Sequence, residues 1–359
     1  LYGQDTKYAV SPQMAAGAVT EDDGKTWKIA LREGLKFHDG TPVLARDCVA
    51  SIERWGKRDS FGQALMAATD SLSAADDRTI VFKLKAPFAL LPDALGKSGS
   101  NVPFIMPERL AKTDPFTQVT EMVGSGPYKF VAKERVPGSL VVYERNTAYV
   151  PRSGGTASFI AGPKVAHFDR VEWHVIPDAA TAAAALQSGE VDWWETPTAD
   201  LLPLLRRNRH LKIEIQDPTG VLGVMRPNFL YPPFDNVAFR RALMGAIDQS
   251  SFMTAAAGTD PSLSHVPTGV WCPASPLATE AGMPKLVGPP DFAAVQKAVA
   301  ASGYKGEKVT VLGATDFPII NAACLVGLDA LKKSGVNVDY QAMDWGTLVE
   351  RRAKKDAPD

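Results

Sequence analysis

VGSGPYKFVAKERVPGSLVVYERNTAYV, residues 123–150, opens with the turn Gly124-Ser125-Gly126-Pro127, whose glycines bend the backbone where a larger side chain would clash. Two strand-like runs follow, residues 128–132 and 139–145, and Pro137-Gly138 turns the chain between them. The stretch reads as a β-hairpin entered through a glycine turn. Gly124-Ser125-Gly126 imitates a nucleophile elbow, but G-x-S-x-G needs a glycine at 123, where Val123 stands. Ser125 therefore has no local hydrolase context.

Upstream of the hairpin, residues 26–31 alternate as a strand with Trp27, Ile29 and Leu31 on one face. Gly34 and Asp39-Gly40 place turns around a short strand at 35–38, and Pro42 begins a helical segment. In that segment Cys48, Ile52 and Trp55 fall at i, i+4 and i+7, the spacing of one buried helical face. Leu44, near its start, has no oxygen with which to cap. Residues 70–85 read as two strands around Asp76-Asp77-Arg78, with Ile80, Phe82 and Leu84 alternating. An apolar helical turn at 87–95 leads into KSGSNVPFIMPERL, residues 97–110, a loop offering Ser98, Ser100 and Asn101 as polar donors.

Downstream, residues 151–164 are rich in Gly, Ser and Pro, as a crossover between domains would be. A strand at 171–176, an alanine-rich helix at 179–187 and a strand at 191–194 make a β-α-β unit, with Asp178 capping the helix and Gly189 ending it. Ligands of open α/β sheets meet the carboxyl ends of strands, which here are Trp193, Trp194 and Glu195. Alternation sends the two tryptophans to opposite faces, and Trp194 is assigned to a cleft. A short helix at 201–207 precedes strands at 212–216 and 221–228. Phe239, Ala242, Leu243, Ala246 and Ile247 then mark a helix, with Asp235 as its cap and Arg240 and Arg241 facing solvent. Pro- and Gly-rich connections from 260 to 290 contain Trp271-Cys272-Pro273. Helix 292–301 (capped by Asp291, ended by Gly303), strand 309–313, helix 319–333, strand 336–340 and helix 345–355 (capped by Asp344) predict a parallel α/β lobe.

A chain of 359 residues exceeds one hydrophobic core and predicts two or more domains. A net charge of −1 argues against a nucleic-acid partner. No apolar run reaches the roughly 20 residues of a membrane span. Cys48, Cys272 and Cys324 are odd in number and far apart, so they predict buried thiols, or at most one disulfide, and no metal site. His38 beside Asp39 reads as a structural hydrogen-bonder, and Gly24-Lys25-Thr26 lacks the P-loop's first glycine because Val19 stands there.

Four of these lines resemble one family. VGSGPYKF…ERNTAYV is similar to the "GTGPYKF…ERNPDYW" hairpin of family 5 extracellular solute-binding proteins, the dipeptide, oligopeptide and nickel receptors of ABC importers. LREGLKFHDGTPVLARDCVASIERW resembles "LRKGVKFHDGTPFTAEDVVFSLERW", with Leu44 where that family has a capping threonine. FDRVEWHVIPDAATAAAALQSGEVD resembles "FDKVVFRIIPDATARLAALQSGEVD", and NFLYPPFDNVAFRRALMGAIDQ resembles "FNTTKPPFDDVRVRQAINYAIDR".

The resemblance implies an α/β, periplasmic binding protein-like fold (type II, cluster C), two-lobed with an extra small α+β domain. Its parts would be residues 1–150 (small α+β, domain II-like), 151–230 (part of the hinge-bearing α/β lobe, domain I-like) and 231–359 (an incomplete second lobe, domain III-like). The opening strand and closing part of that fold are expected to lie outside this chain. So is the acidic residue by which peptide receptors hold a ligand's amino terminus, and weak or no binding by residues 1–359 alone is the corresponding expectation. In the family the loop holding Ser100 and Asn101 reaches the ligand cleft in some members, and the "FN" asparagine falls on Asn228, with Arg226 two residues earlier.

The expected function is capture of a small solute, a di- or oligopeptide, by hinge closure and delivery to membrane permease subunits. The expected binding residues are Ser100, Asn101, Trp194, Arg226 and Asn228, with no catalytic residue, no metal and no cofactor. The resemblance further implies a monomer peripheral to the membrane, periplasmic or extracellular as a lipoprotein. A nickel complex, haem or other non-peptide solute is the alternative. A hydrolase using Ser125 or Cys48 with His38 is a further one, supported only by isolated residue types.

Overall fold

The computed structural model describes residues 1–217, 220–266, 269–281 and 288–352. The chain forms two compact units, Leu1–Pro177 and Asp178–Asp359.

In the first unit, β1 (Tyr2–Gln4) pairs antiparallel with β2 (Val10–Pro12). β3 (Ala15–Glu21) and β4 (Thr26–Leu31) are followed by two helices, α1 (Ala45–Gly56) and α2 (Ser60–Ala68). Next come β5 (Thr69–Ala74), β6 (Thr79–Leu84), α3 (Leu91–Gly96) and α4 (Glu108–Ala111). The four middle strands make an antiparallel sheet in the order β3-β4-β6-β5. Ile29 and Leu31 on β4, with Ile80, Phe82 and Leu84 on β6, turn one face of that sheet inward. The α1 stripe of Cys48, Ile52 and Trp55 packs against them, with Leu65, Leu91 and Leu95 filling the sides. Burying a side chain such as Phe82 is worth roughly 2–3 kcal/mol, so this layer is the unit's main source of stability.

The opening hairpin forms as β7 (Tyr128–Phe130) and β8 (Leu140–Arg145), in register Tyr128 to Arg145, with Gly138 at φ +77 in the connection. The first strand is shorter than the sequence pattern suggests, because a 3-10 turn at Ala132–Glu134 takes its last residues. A third strand, β9 (Arg170–His174), pairs with β8. The crossover segment returns to the start of the chain: Ile160 N–H donates to Gln4 O (3.0 Å), and Gln13 Nε2 donates to Gly162 O (2.9 Å). Gly3 permits this approach, since a Cβ there would collide with Ile160 O.

In the second unit, α5 (Ala179–Ser188) begins at the Asp178 cap, whose carboxylate accepts from Thr181 N–H, and ends at Gly189 with φ 78. α6 (Leu202–Leu205), α7 (Val237–Met244), α8 (Gln249–Ala257) and α9 (Phe292–Ala301) follow. β10 (Val309–Ala314), α10 (Pro318–Lys333), β11 (Val338–Met343) and α11 (Trp345–Arg351) form the parallel α/β portion, with β10 and β11 in register Val309 to Val338. Phe239 and Leu243 of α7 join Val295 and Val299 of α9 and Leu331 of α10 in its core.

Several expected strands do not form. Residues 35–38 make only a single bridge, Lys36 to Pro42, and residues 191–194, 212–216 and 221–228 pair with no strand among the described residues. Sequence pattern makes these segments strand-like, but a strand exists only where another backbone takes up its hydrogen bonds. The β-α-β reading of 171–194 therefore reduces to a strand and a helix. Helix α1 starts three residues beyond Pro42, and the helix marked by Phe239 to Ile247 ends at Met244, short of Ala246 and Ile247, before Asp248 caps the separate α8. The cap of α7 is Asn236, which accepts from Ala238 and Phe239 N–H, and not Asp235. β11 begins two residues later than expected, and α11 ends at Arg351, its expected continuation through 353–355 lying outside the described residues. All three cysteines are free thiols.

Candidate functional site

The loop between α3 and α4 holds Ser100 and Asn101 on an exposed tip whose two feet are pinned. At one foot the Lys97 ammonium lies 2.7 Å from Asp59 Oδ2, with the side chains only 20% and 6% exposed. The same Asp59 caps α2, its Oδ1 accepting from Phe61 N–H (3.0 Å) and Gly62 N–H (3.1 Å). At the other foot Met106 N–H donates to Ser51 Oγ on α1 (3.0 Å). Between them the buried Trp55 donates its indole N–H to Asn101 O, and Asn101 sits in the left-handed region at φ 55. Ser98 is already engaged, donating to Gln4 Oε1 (2.8 Å). Among the described residues the side chains of Ser100 and Asn101 make no hydrogen bond, so both remain available to a ligand.

A cleft of about 370 Å³ opens nearby in the same unit, between the turn at 37–42 and the starts of α1 and α4. Leu44 has no acceptor to offer the α1 start, but the buried Asp47 carboxylate compensates in part. It accepts from Leu44 N–H and from Glu108 N–H, each at 2.8 Å, and so ties the starts of the two helices together. On the rim, hydrogen bonds from the Thr41 hydroxyl and then its amide hold Asp39 below the usual carboxylate range. Arg109 makes a bidentate pair with Glu121 at 2.7 and 2.8 Å. Ser100 and Asn101 do not line this cleft.

The other three expected residues lie in the second unit, on irregular backbone. Trp193 is 63% exposed and Trp194 half-buried, a difference in exposure like the one alternation suggests, although no strand places them. Arg226 and Asn228 share one stretch of irregular backbone. Asn228 Oδ1 accepts from Leu230 N–H (3.1 Å), a local turn that occupies one of its acceptor sites. Arg240, expected in solvent, is half-buried: its guanidinium stacks 5.0 Å from the Phe229 ring centroid and donates to Phe234 O. That contact fixes the chain just past Asn228. The sequence carries no signal for it, because Phe229 lies outside the helix and stands in no periodic relation to Arg240.

Two of the residues considered for hydrolysis, Cys48 and His38, are committed to structure. Burial pushes the Cys48 thiol up to about 12, leaving it un-ionised and inert. His38 Nδ1 accepts from Gly124 N–H and Nε2 meets Gly126 O, both at 3.2 Å. Among the described residues no cluster of three or more His, Cys, Asp or Glu could hold a metal ion, and no helix is long and apolar enough to cross a membrane.

The family described as "Bacterial extracellular solute-binding proteins, family 5 Middle" matches residues 9–358. A Sinorhizobium fredii (strain NBRC 101917 / NGR234) protein named "Probable peptide ABC transporter periplasmic-binding protein y4tO" is 40% identical, over 100% of this chain and 67% of its own length. The oligopeptide-binding protein AppA of Bacillus subtilis (strain 168) is 26% identical, over 97% of this chain and 64% of its own. The chain thus spans about two thirds of the length of these curated relatives. The solved structure of Bacillus subtilis AppA with a nonapeptide superimposes with a TM-score of 0.76 at 22% identity, covering 99% of this chain and 70% of that one. AgaA of A. tumefaciens R10 with agropinic acid does so with a TM-score of 0.75 at 20% identity, covering 98% and 67%. These likenesses give the fold, an α/β periplasmic binding protein fold. With the family match running almost from end to end and a 40%-identical relative covering the whole chain, the protein belongs to family 5 of the bacterial extracellular solute-binding proteins.

Proposed function

We propose that the protein is the substrate-binding component of an ABC importer, capturing a di- or oligopeptide and delivering it to membrane permease subunits. The observation that carries this reading is the 40% identity, along the whole chain, to a protein named for peptide ABC transport. The work is capture without chemistry, in which polar side chains and backbone groups replace the ligand's hydration in a closed site. Ser100, Asn101, Trp194, Arg226 and Asn228 are its ligand contacts in this reading. Support for the first pair is an exposed tip on pinned feet, which presents donors at little ordering cost. The protein acts as a monomer outside the cytoplasmic membrane, as a periplasmic or lipid-anchored protein, in the three-part division 1–150, 151–230 and 231–359.

A non-peptide solute is the second reading, favoured by the fold's match to AgaA holding agropinic acid. Native mass spectrometry of the full-length protein as purified, followed by calorimetry with the identified molecule and with a peptide panel, separates the two. A peptide recovered intact and rebound at one per protein supports the first. An opine-like or metal-chelate ligand with no peptide binding refutes it, and recovery of cleaved peptide refutes the binding role itself.

A further inference from the structure

The turn that opens the central hairpin is fastened by a group that can change its charge. Residues 112–127 form a strap without regular structure between α4 and β7. Its first half hangs on arginines: Arg54 donates to Thr113 O (2.6 Å) and Thr117 O (2.7 Å), and Arg58 to Pro115 O (3.1 Å). Glu121 is held by Arg109. Beyond it, Gly124 is fastened to His38, by His38 N–H donating to Gly124 O (2.8 Å) and by the imidazole. Asn146 holds the far end, donating to Gly126 O (3.1 Å) and, through its amide, to Pro127 O (2.8 Å).

The imidazole contacts admit one protonation state. Gly124 N–H can only donate, so Nδ1 must carry a lone pair, and Gly126 O can only accept, so Nε2 must carry the proton. An imidazolium would set an Nδ1 proton against the Gly124 amide proton. A Cβ at residue 124 would lie 3.2 Å from His38 Cε1, so the ring packs directly against the turn. We propose that His38 is a pH-operated latch: neutral, it clamps the strap end at Met122–Ser125 onto the Phe37–Gly40 turn beside the cleft, and protonation replaces the Gly124 N–H bond to Nδ1 by a proton–proton contact, loosening that end on its remaining bonds while the arginines keep the rest in place.

The surroundings favour the neutral form. Burial lowers the affinity of His38 for a second proton, and Lys129 on β7 acts in the same direction. The Gly126 carbonyl and Asp39 oppose them, with Asp39 itself facing Arg109 of α4 and Glu121 of the strap. Whatever factor separates the proton affinities of the released and the latched imidazole is the factor by which protonation shifts the strap toward release.

Hydrogen exchange of peptides covering 118–128 in the 359-residue protein, at pH 7.5 and pH 5 and corrected for intrinsic exchange, tests this. The expected result is a several-fold loss of protection at pH 5 with none in peptides covering 79–84. The protection midpoint should coincide with the His38 imidazole titration followed by ¹⁵N chemical shifts, which should also report the Nε2–H tautomer at pH 7.5. His38→Gln supplies one acceptor and one donor without a titrating proton and should remove the pH dependence. Equal protection at both pH values, a midpoint displaced from the imidazole titration, or the Nδ1–H tautomer overturns the proposal. If His38→Gln fails to fold, the two measurements on the unaltered protein still decide.

Discussion

Asp59→Ala should be among the most damaging single changes at the loop that carries Ser100 and Asn101. Asp59 is 4% exposed and serves two elements at once. Its cap on α2 uses two backbone donors, and losing such a cap costs about 1 kcal/mol. Its pair with Lys97 is nearly dry on the aspartate side, and removing one partner of a buried pair costs about 3–5 kcal/mol. Lys97 keeps a fifth of its side chain in water and can swing its ammonium outward, so about 2 kcal/mol is the better figure for this pair. The expected total is about 3 kcal/mol in the first unit. Lys97→Met keeps both cap bonds but strands the drier Asp59 carboxylate without its cation, so it should cost about as much, and the double variant should cost less than the sum of the singles. Urea unfolding read by hydrogen exchange in peptides covering 60–68 and 97–107 assigns the loss to this unit. A loss below about 1 kcal/mol for Asp59→Ala, or strict additivity with Lys97→Met, would refute the reasoning.

The remaining predictions concern pH, close packing, a helix boundary and ligand contact. His38 is lowered from 6.5 in the folded chain, so the unfolded chain binds more protons below that value and stability rises with pH there. Its contribution is full above about 6.5 and is lost as pH falls through the folded value, which the urea midpoint of the first unit should track in the unaltered protein and not in His38→Gln. Gly313→Ala drives a Cβ into Tyr340 Oη, which Asn321 restrains, and should cost about 1–3 kcal/mol in thermal unfolding unless Tyr340→Ala is added. Asp178→Ala should cost about 1 kcal/mol by removing the α5 cap, whereas Asp235→Ala, beside the real cap of α7, should stay within about 0.5 kcal/mol in the same assay. Asn101→Gly, which keeps the left-handed backbone at φ 55, should weaken ligand binding by the full-length protein about tenfold in calorimetry with little change in melting temperature.

Local chemistry was readable and partnership was not. Asp178 and Gly189 bound α5 as their residue types suggest, and the pair β5–β6 closes around Asp76–Arg78 with Ile80 and Phe82 inward. Both depend on bonds within a few residues. Residues 212–216 alternate just as well, yet alternation names a face and not a neighbouring backbone. The same limit applies at the candidate site. A small polar composition predicts an exposed tip at Ser100 and Asn101, whereas its anchors join Lys97 to Asp59 and Trp55 to Asn101 across 38 and 46 positions. Asp235 and Asn236 are adjacent and chemically equivalent as caps, and what distinguishes the second is a distant contact, Asn236 Nδ2 donating to Ser302 O at 2.8 Å.

The clip between the crossover segment and the start of the chain sets an order of events. Ile160 and Gly162 meet Gln4 and Gln13, and Arg152 donates to Ala15 O (2.8 Å), across separations of 137 to 149 positions for the side-chain bonds. The β3-β4-β6-β5 sheet closes within about the first quarter of the chain, but the first strand pair stays unfinished until residue 162 is available. Loop-closure entropy of that span must be met before the contacts return anything. Folding of this unit is thus not a simple progression from its first residue, and in pulse-labelling experiments β1 should gain protection after β6.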